Sequence, residues 1–83
     1  MSREERKRQV WLEAVGRAVR EIREERGLSQ ERLGLDCRLD RTYVSGIERG
    51  VRNPTIWSLA RLAEGLEVLP SELLLRAEEG VIS

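Results

Sequence analysis

Apolar residues recur along this chain at steps of three and four, and no stretch alternates in the manner of a strand. Trp11, Val15, Val19 and Ile22, with Ala18 between them, form one stripe, the mark of a helix with one buried face. The pattern predicts a first helix over residues 10–26, stopped at Gly27, a residue that takes the left-handed backbone without penalty. Ser29 offers a hydroxyl cap to a short second helix over 30–37, with Leu33 and Cys37 inward. Asp40 is placed to cap a third over 41–49, closed by Gly50. Pro54 bars helix through the residue before it, so 51–54 read as a loop. A fourth helix is expected over 55–65, with Ile56, Leu59, Leu62 and Ala63 as its stripe. Pro70 suits the first position of a fifth, ending near Glu79. The chain therefore divides into a charged N-terminal arm (1–9), an all-α domain (10–79) and a short tail (80–83).

Composition narrows the chemistry. Eighty-three residues bury only about 60 % of the surface exposed when unfolded, so one small core is the limit. Histidine is absent and Cys37 is the single cysteine, which removes His- or Cys-based metal sites and the usual catalytic pairs. No cofactor and no enzymatic activity are expected. A lone thiol closes no internal disulfide, and no apolar run approaches the ~18 residues of a membrane span. A soluble cytoplasmic protein is the expectation, and Cys37 reads as a small core residue.

Net charge is zero, yet it is unevenly spread: +2 over 1–8, −1 over 9–37, +2 over 38–52 and −3 over 53–83. A local positive face is what phosphate binding requires. The third helix lies in the second basic segment. With Val44 at zero and about 100° per residue, Val44 and Ile47 point inward. Thr42, Ser45, Gly46 and Arg49 fall on the opposite, solvent side, flanked by Arg41 and Tyr43. A face of small hydroxyls, a glycine and arginines approaches a groove closely and meets donors and acceptors there. Two short helices joined by a tight turn, the second carrying this face, form a helix-turn-helix.

At these residues the chain resembles the XRE family, the Cro and lambda-repressor-like helix-turn-helix domains. The matching stretches run from Gly16 to Leu74: Gly16-Arg17-Ala18-Val19-Arg20-Glu21-Ile22-Arg23, Gly27-Leu28-Ser29-Gln30-Glu31, Tyr43-Val44-Ser45-Gly46-Ile47-Glu48-Arg49-Gly50 and Arg52-Asn53-Pro54-Thr55. Within the family, the Tyr-Val-Ser-Gly-Ile-Glu-Arg-Gly wording is most similar to the small controller proteins of restriction-modification systems. The resemblance implies a five-helix lambda-repressor-like domain that binds double-stranded DNA. It implies that Arg41, Thr42 and Ser45 read base edges, Arg41 being suited to a bidentate pair with guanine. It implies phosphate contacts from Gln30, Tyr43, Arg49, Arg52 and Asn53. Arg23 and Glu48 match an ion pair between the first and recognition helices; on the wheel Glu48 lies close to the inward edge, odd for an acid without a partner.

Two positions depart from the family. Arg38 stands where the turn usually has glycine, at a cost on the order of 1 kcal/mol if the backbone there is left-handed; Arg38 is itself a candidate phosphate ligand. Gly34 replaces the usual alanine and is expected to loosen the second helix by up to about 1 kcal/mol. With no long side chain at Gly46, part of any sequence preference is expected to come from DNA shape.

Trp57 lies off the fourth-helix stripe and reads either as a dimer contact or as a peripheral core residue. Leu75 is likewise surplus to a single stripe. Together they predict a twofold interface on helices four and five, setting two recognition helices about 34 Å apart. The basic run Arg3, Arg6, Lys7 and Arg8 reads as a solvated end or as an arm along the DNA backbone. The resulting expectation is a homodimeric transcription regulator on a roughly palindromic operator, recruiting or blocking RNA polymerase. An antitoxin with the same fold, and a helical protein-interaction module without DNA, are the alternatives.

Overall fold

The computed structural model describes residues 1–82 as five helices: α1 (Arg3–Glu25), α2 (Gln30–Cys37), α3 (Arg41–Glu48), α4 (Ile56–Leu66) and α5 (Pro70–Ile82). Hydroxyl and carboxylate caps set most of the starts. Ser29, Asp40 and Thr55 accept from backbone N–H groups of α2, α3 and α4, each satisfying a donor that the first helical turn leaves open.

The largest difference from the sequence reading is at the N-terminus. Residues 3–9, expected as an arm, are the first turns of α1. Ser2 and Glu5 form a reciprocal capping box there, Ser2 Oγ accepting from Glu5 N at 3.1 Å and Glu5 Oε1 accepting from Ser2 N at 3.0 Å. That box draws the Glu5 carboxyl below its ordinary range, the hydrogen bond from the Ser2 backbone contributing most. At the other end α5 continues through Gly80, Val81 and Ile82, where the sequence pattern predicts a tail; Ser83 lies outside the described residues.

The core is assembled from one face of each helix. Val19, Leu33, Val44, Ile47, Leu62, Leu66 and Leu73 are fully buried. α1 packs along α5 and crosses α3, while α2 lies between α3 and α4. Two expected core residues sit outside it. Trp11 is 41 % exposed while its neighbour Leu12 is buried, and Ile56 is 81 % exposed. Trp11 lies at the edge of the α1–α5 contact, in an open depression beside α5, and Ile56 is the first residue of α4.

Gly34 has a closer purpose than a tolerated weak point. A Cβ built there would lie 2.7 Å from the carbonyl oxygen of Leu39. Its own carbonyl accepts from Leu39 N at 2.9 Å. The missing side chain lets the turn fold back onto α2, which offsets the propensity that glycine costs in a helix. Arg38 in that turn has φ 58 and ψ 41. The left-handed conformation foreseen as a cost is adopted by a non-glycine residue.

Candidate nucleic-acid interface

α3 is held at both ends and underneath, so its outer face is presented rigidly. Asp40 caps its first turn, Oδ1 accepting from Thr42 N at 2.8 Å. Val44 and Ile47 anchor the underside. At the far end Glu48 is clamped by Arg23: Nε donates to Oε2 at 2.6 Å and Nη2 to Oε1 at 3.0 Å. Side-chain exposure is 11 % for Arg23 and 3 % for Glu48, so this fork-to-fork pair is shielded from water and geometrically specific. The Glu48 hydrogen bonds, the largest influence, hold the Arg23 guanidinium above its usual range. Arg23 Nη1 also donates to Leu28 O at 2.8 Å, joining the start of α2 to the same knot.

Gln30 belongs to this knot as well as to the exposed face. Its Nε2 donates to Glu48 Oε1 at 3.0 Å, using one of two amide N–H groups. It also lines a shallow depression with Arg41, Thr42 and Ser45. The three expected base readers and one expected phosphate ligand therefore share one concavity. Arg41 and Thr42 are exposed, and Ser45 is half-buried.

Gly46 is not on the exposed face, contrary to the helical-wheel assignment. It is buried, and a Cβ there would lie 2.5 Å from Arg52 Cγ. The loop after α3 folds back and lays the Arg52 stem over Gly46. The Arg52 guanidinium sits over the Tyr43 ring, 5.9 Å from its centroid, a cation–π arrangement. Tyr43 is half-buried, and its hydroxyl donates to Ser58 Oγ at 3.3 Å. Tyr43 thus braces α3 against α4, while exposed Arg49 and Asn53 flank the same loop. The wheel places residues by angle on an isolated helix and contains nothing of a segment that returns over it.

Arg38 is exposed but belongs to a different depression, lined with Cys37, Trp57, Ala60 and Arg61. Trp57 is 67 % exposed, with the Arg61 guanidinium 5.5 Å from its ring centroid. Leu75, 56 % exposed, lines another depression with Trp11 and Leu74. The two expected interface residues are both on the surface and do not share a groove. Cys37 is buried, its thiol pushed up by burial and donating to Leu33 O at 2.8 Å. Among the described residues no helix is long and apolar enough to cross a membrane.

An α2–turn–α3 unit of this geometry defines a helix-turn-helix protein. The chain belongs to that family, whose model, described as helix-turn-helix, matches residues 19–73. It is a transcription regulator homologous to restriction-modification controller proteins. Control protein C.BamHI of Bacillus amyloliquefaciens is 43 % identical over 60 residues, covering 71 % of this chain and 74 % of the relative. The controller protein C.AhdI from Aeromonas hydrophila superposes with a TM-score of 0.74 at 45 % identity, covering 75 % of this chain and 94 % of that one. C.Esp1396I, solved as a tetramer with its natural 35 base-pair operator, gives a TM-score of 0.80 at 40 % identity, covering 88 % of this chain and 96 % of that one.

Proposed function

We propose that this protein is a homodimeric, sequence-specific regulator that places α3 in the major groove of a roughly palindromic operator, as a controller protein of the restriction-modification type. The observation that carries the reading is the state of the arginines around α3. Arg38, Arg41, Arg49 and Arg52, clustered on α3 and its flanking turns, enter no ion pair among the described residues; of the arginines elsewhere, Arg20, Arg23, Arg26, Arg32 and Arg76 are paired, and Arg3, Arg6, Arg8, Arg17 and Arg61 are not. Guanidinium groups without carboxylate partners, beside hydroxyls on a braced helix, suit phosphates and base edges.

In this reading Arg41, Thr42 and Ser45 meet base edges, and Arg41 pairs with guanine. Gln30, Arg49, Arg52 and Asn53 bind phosphates on either side, Tyr43 supports Arg52, and Arg38 reaches a phosphate from the turn. Trp57 on α4 and Leu75 on α5 supply apolar surface for the twofold contact. Bound near a promoter, the dimer recruits or blocks RNA polymerase.

The test is a mobility-shift titration on DNA from upstream of the protein's own gene. Arg41→Ala should lose specific binding and keep weak, salt-dependent binding, since a bidentate contact is worth about 1–3 kcal/mol of discrimination. Unchanged site preference in that variant removes Arg41 from the readout. No binding of the unmodified protein to any duplex at low salt removes the whole reading.

A further inference from the structure

Asp40 does more than cap α3. Its Oδ1 accepts from the backbone N–H of Thr42 at 2.8 Å, and the same oxygen accepts the Thr42 hydroxyl proton from Oγ1. A threonine hydroxyl carries one proton and two lone pairs. On an unconstrained helix the proton rotates to suit its neighbour, so threonine accepts either a donor or an acceptor. Here the proton is committed within the protein. Thr42 lines the depression that also holds Arg41, Ser45 and Gln30, so what its oxygen presents there is acceptor capacity alone. Asp40 is exposed. Its carboxyl is held below the usual range by the Thr42 hydroxyl and then by the Thr42 backbone N–H, which keeps it an ionised acceptor at neutral pH.

Resting on the operator-binding reading above, we infer that Asp40 is a specificity-determining positioning residue: by taking the Thr42 proton, it makes Thr42 select an amino-bearing base on the strand it faces. In the major groove adenine N6 and cytosine N4 are donors, whereas guanine O6 and thymine O4 are acceptors. An acceptor-only oxygen pairs with the first two and opposes the last two. Arg41, a pure donor, has the reverse requirement and favours guanine. The pair of adjacent residues thus reads complementary chemistry: a keto purine at one position and adenine or cytosine at the one Thr42 faces. Asp40 touches no base in this scheme.

The experiment is selection from a random duplex library by the full-length protein and three variants, followed by sequencing. The unmodified protein should enrich a motif with guanine at one position and adenine or cytosine over guanine or thymine at another. That second preference should be about two- to tenfold, the size of one net hydrogen bond. Asp40→Gly keeps a tolerated cap residue and frees the hydroxyl; the amino-over-keto preference should fall to about one, with the guanine kept. Asp40→Asn removes the charge but keeps a carbonyl oxygen for the same proton, so the preference should remain. Thr42→Val should lose it.

An unchanged preference in Asp40→Gly overturns the inference. So does equal loss in Asp40→Asn, which would assign the effect to charge. Persistence in Thr42→Val also overturns it, handing the contact to Asp40 itself. Failure of the unmodified protein to enrich any sequence is a different outcome, since it removes the operator reading together with this one. Melting curves of the three variants accompany the selections; retained guanine enrichment shows that each still folds.

Discussion

Arg76 and Arg52 are both arginines at the surface, and the protein treats them oppositely. Arg76 on α5 is clamped by α1: Nη1 donates to Glu25 Oε2 at 2.6 Å, Nη2 to Glu25 Oε1 at 3.3 Å, and Glu21 lies 3.9 Å away. Arg52 has no carboxylate partner among the described residues and instead lies over Tyr43 and Gly46. Arg76 is satisfied within the protein, whereas Arg52 and its neighbours Arg38, Arg41 and Arg49 are left for something else. A net charge of zero therefore says little about partners, because some cations are neutralised within the protein and those beside α3 are not. Local placement of charge, not its total, decides whether phosphate can bind.

The strongest way to break this contrast is through the acid that anchors the far end of α3. Glu48→Ala leaves Arg23 shielded and without its partner, and Gln30 without its acceptor. Breaking a buried pair from one side costs about 3–5 kcal/mol, a large share of the stability of a domain this size. Thermal melting should show a drop of more than about 10 °C, given about 4–8 °C per kcal/mol in small domains. A drop of only a degree or two would mean that the pair is solvated and does not anchor α3.

Next in size is a matched pair of substitutions. Arg52→Gln should weaken binding to all duplexes alike and lower the slope of log K against log salt by about one, the signature of one lost phosphate contact. Arg76→Gln should leave both affinity and slope unchanged. Equal slopes for the two variants would dissolve the distinction between the two sides. Gly46→Ala sharpens it further. The added methyl would lie 2.5 Å from Arg52 Cγ and 3.5 Å from Cβ, close to a loop backbone whose Val51 and Arg52 N–H groups donate to Gly46 O, so loop and guanidinium must move together. Helix propensity gains up to about 1 kcal/mol from the change and offsets part of that clash, so DNA affinity should fall by more than stability does. Unchanged affinity would mean that Arg52 makes no DNA contact from this position.

How far the sequence foretells these features follows from the kind of information each needs. The five helices are legible because their starts are set by local caps and their buried faces by period. The first turns of α1 are not, although Ser2 and Glu5 stand at capping-box spacing: residues 3–8 carry charge rather than an apolar stripe, and periodicity is silent there. The inward angle of Glu48 is readable from the wheel; Gln30 as a third member of its network is not, because that contact joins different helices. Gly46 fails for the same reason, since its cover comes from a loop that returns over α3. Trp57 and Leu75 are recognisable as surplus to their stripes, but only the tertiary arrangement sends them to separate depressions. The Asp40–Thr42 bond is different: a capping acid two residues before a threonine is a local pattern, available to a reader who asks where the hydroxyl proton goes.

The smallest expected effect concerns the clamped side. The Arg76 hydrogen bonds hold the Glu25 carboxyl below its ordinary value. A depressed carboxyl contributes stability that is fully present above its unfolded-state value and is lost as pH falls through the folded-state one. The melting temperature of Glu25→Gln should therefore lie slightly below that of the unmodified protein at neutral pH, and the two should converge in acid, as pH falls through the depressed folded-state value. Both groups are on the surface, so the offset should be small and should shrink in high salt. Arg76→Gln should give the same convergence, because it removes the cause of the shift rather than the carboxyl. An offset that persists unchanged through the acid limb would mean that the pair acts by packing α5 onto α1, with ionisation playing no part. DNA binding tests the other side of the contrast in the same two variants: at neutral pH both should bind as the unmodified protein does, since in the proposed docking through α3 neither the Arg76 guanidinium nor the Glu25 carboxylate faces the duplex.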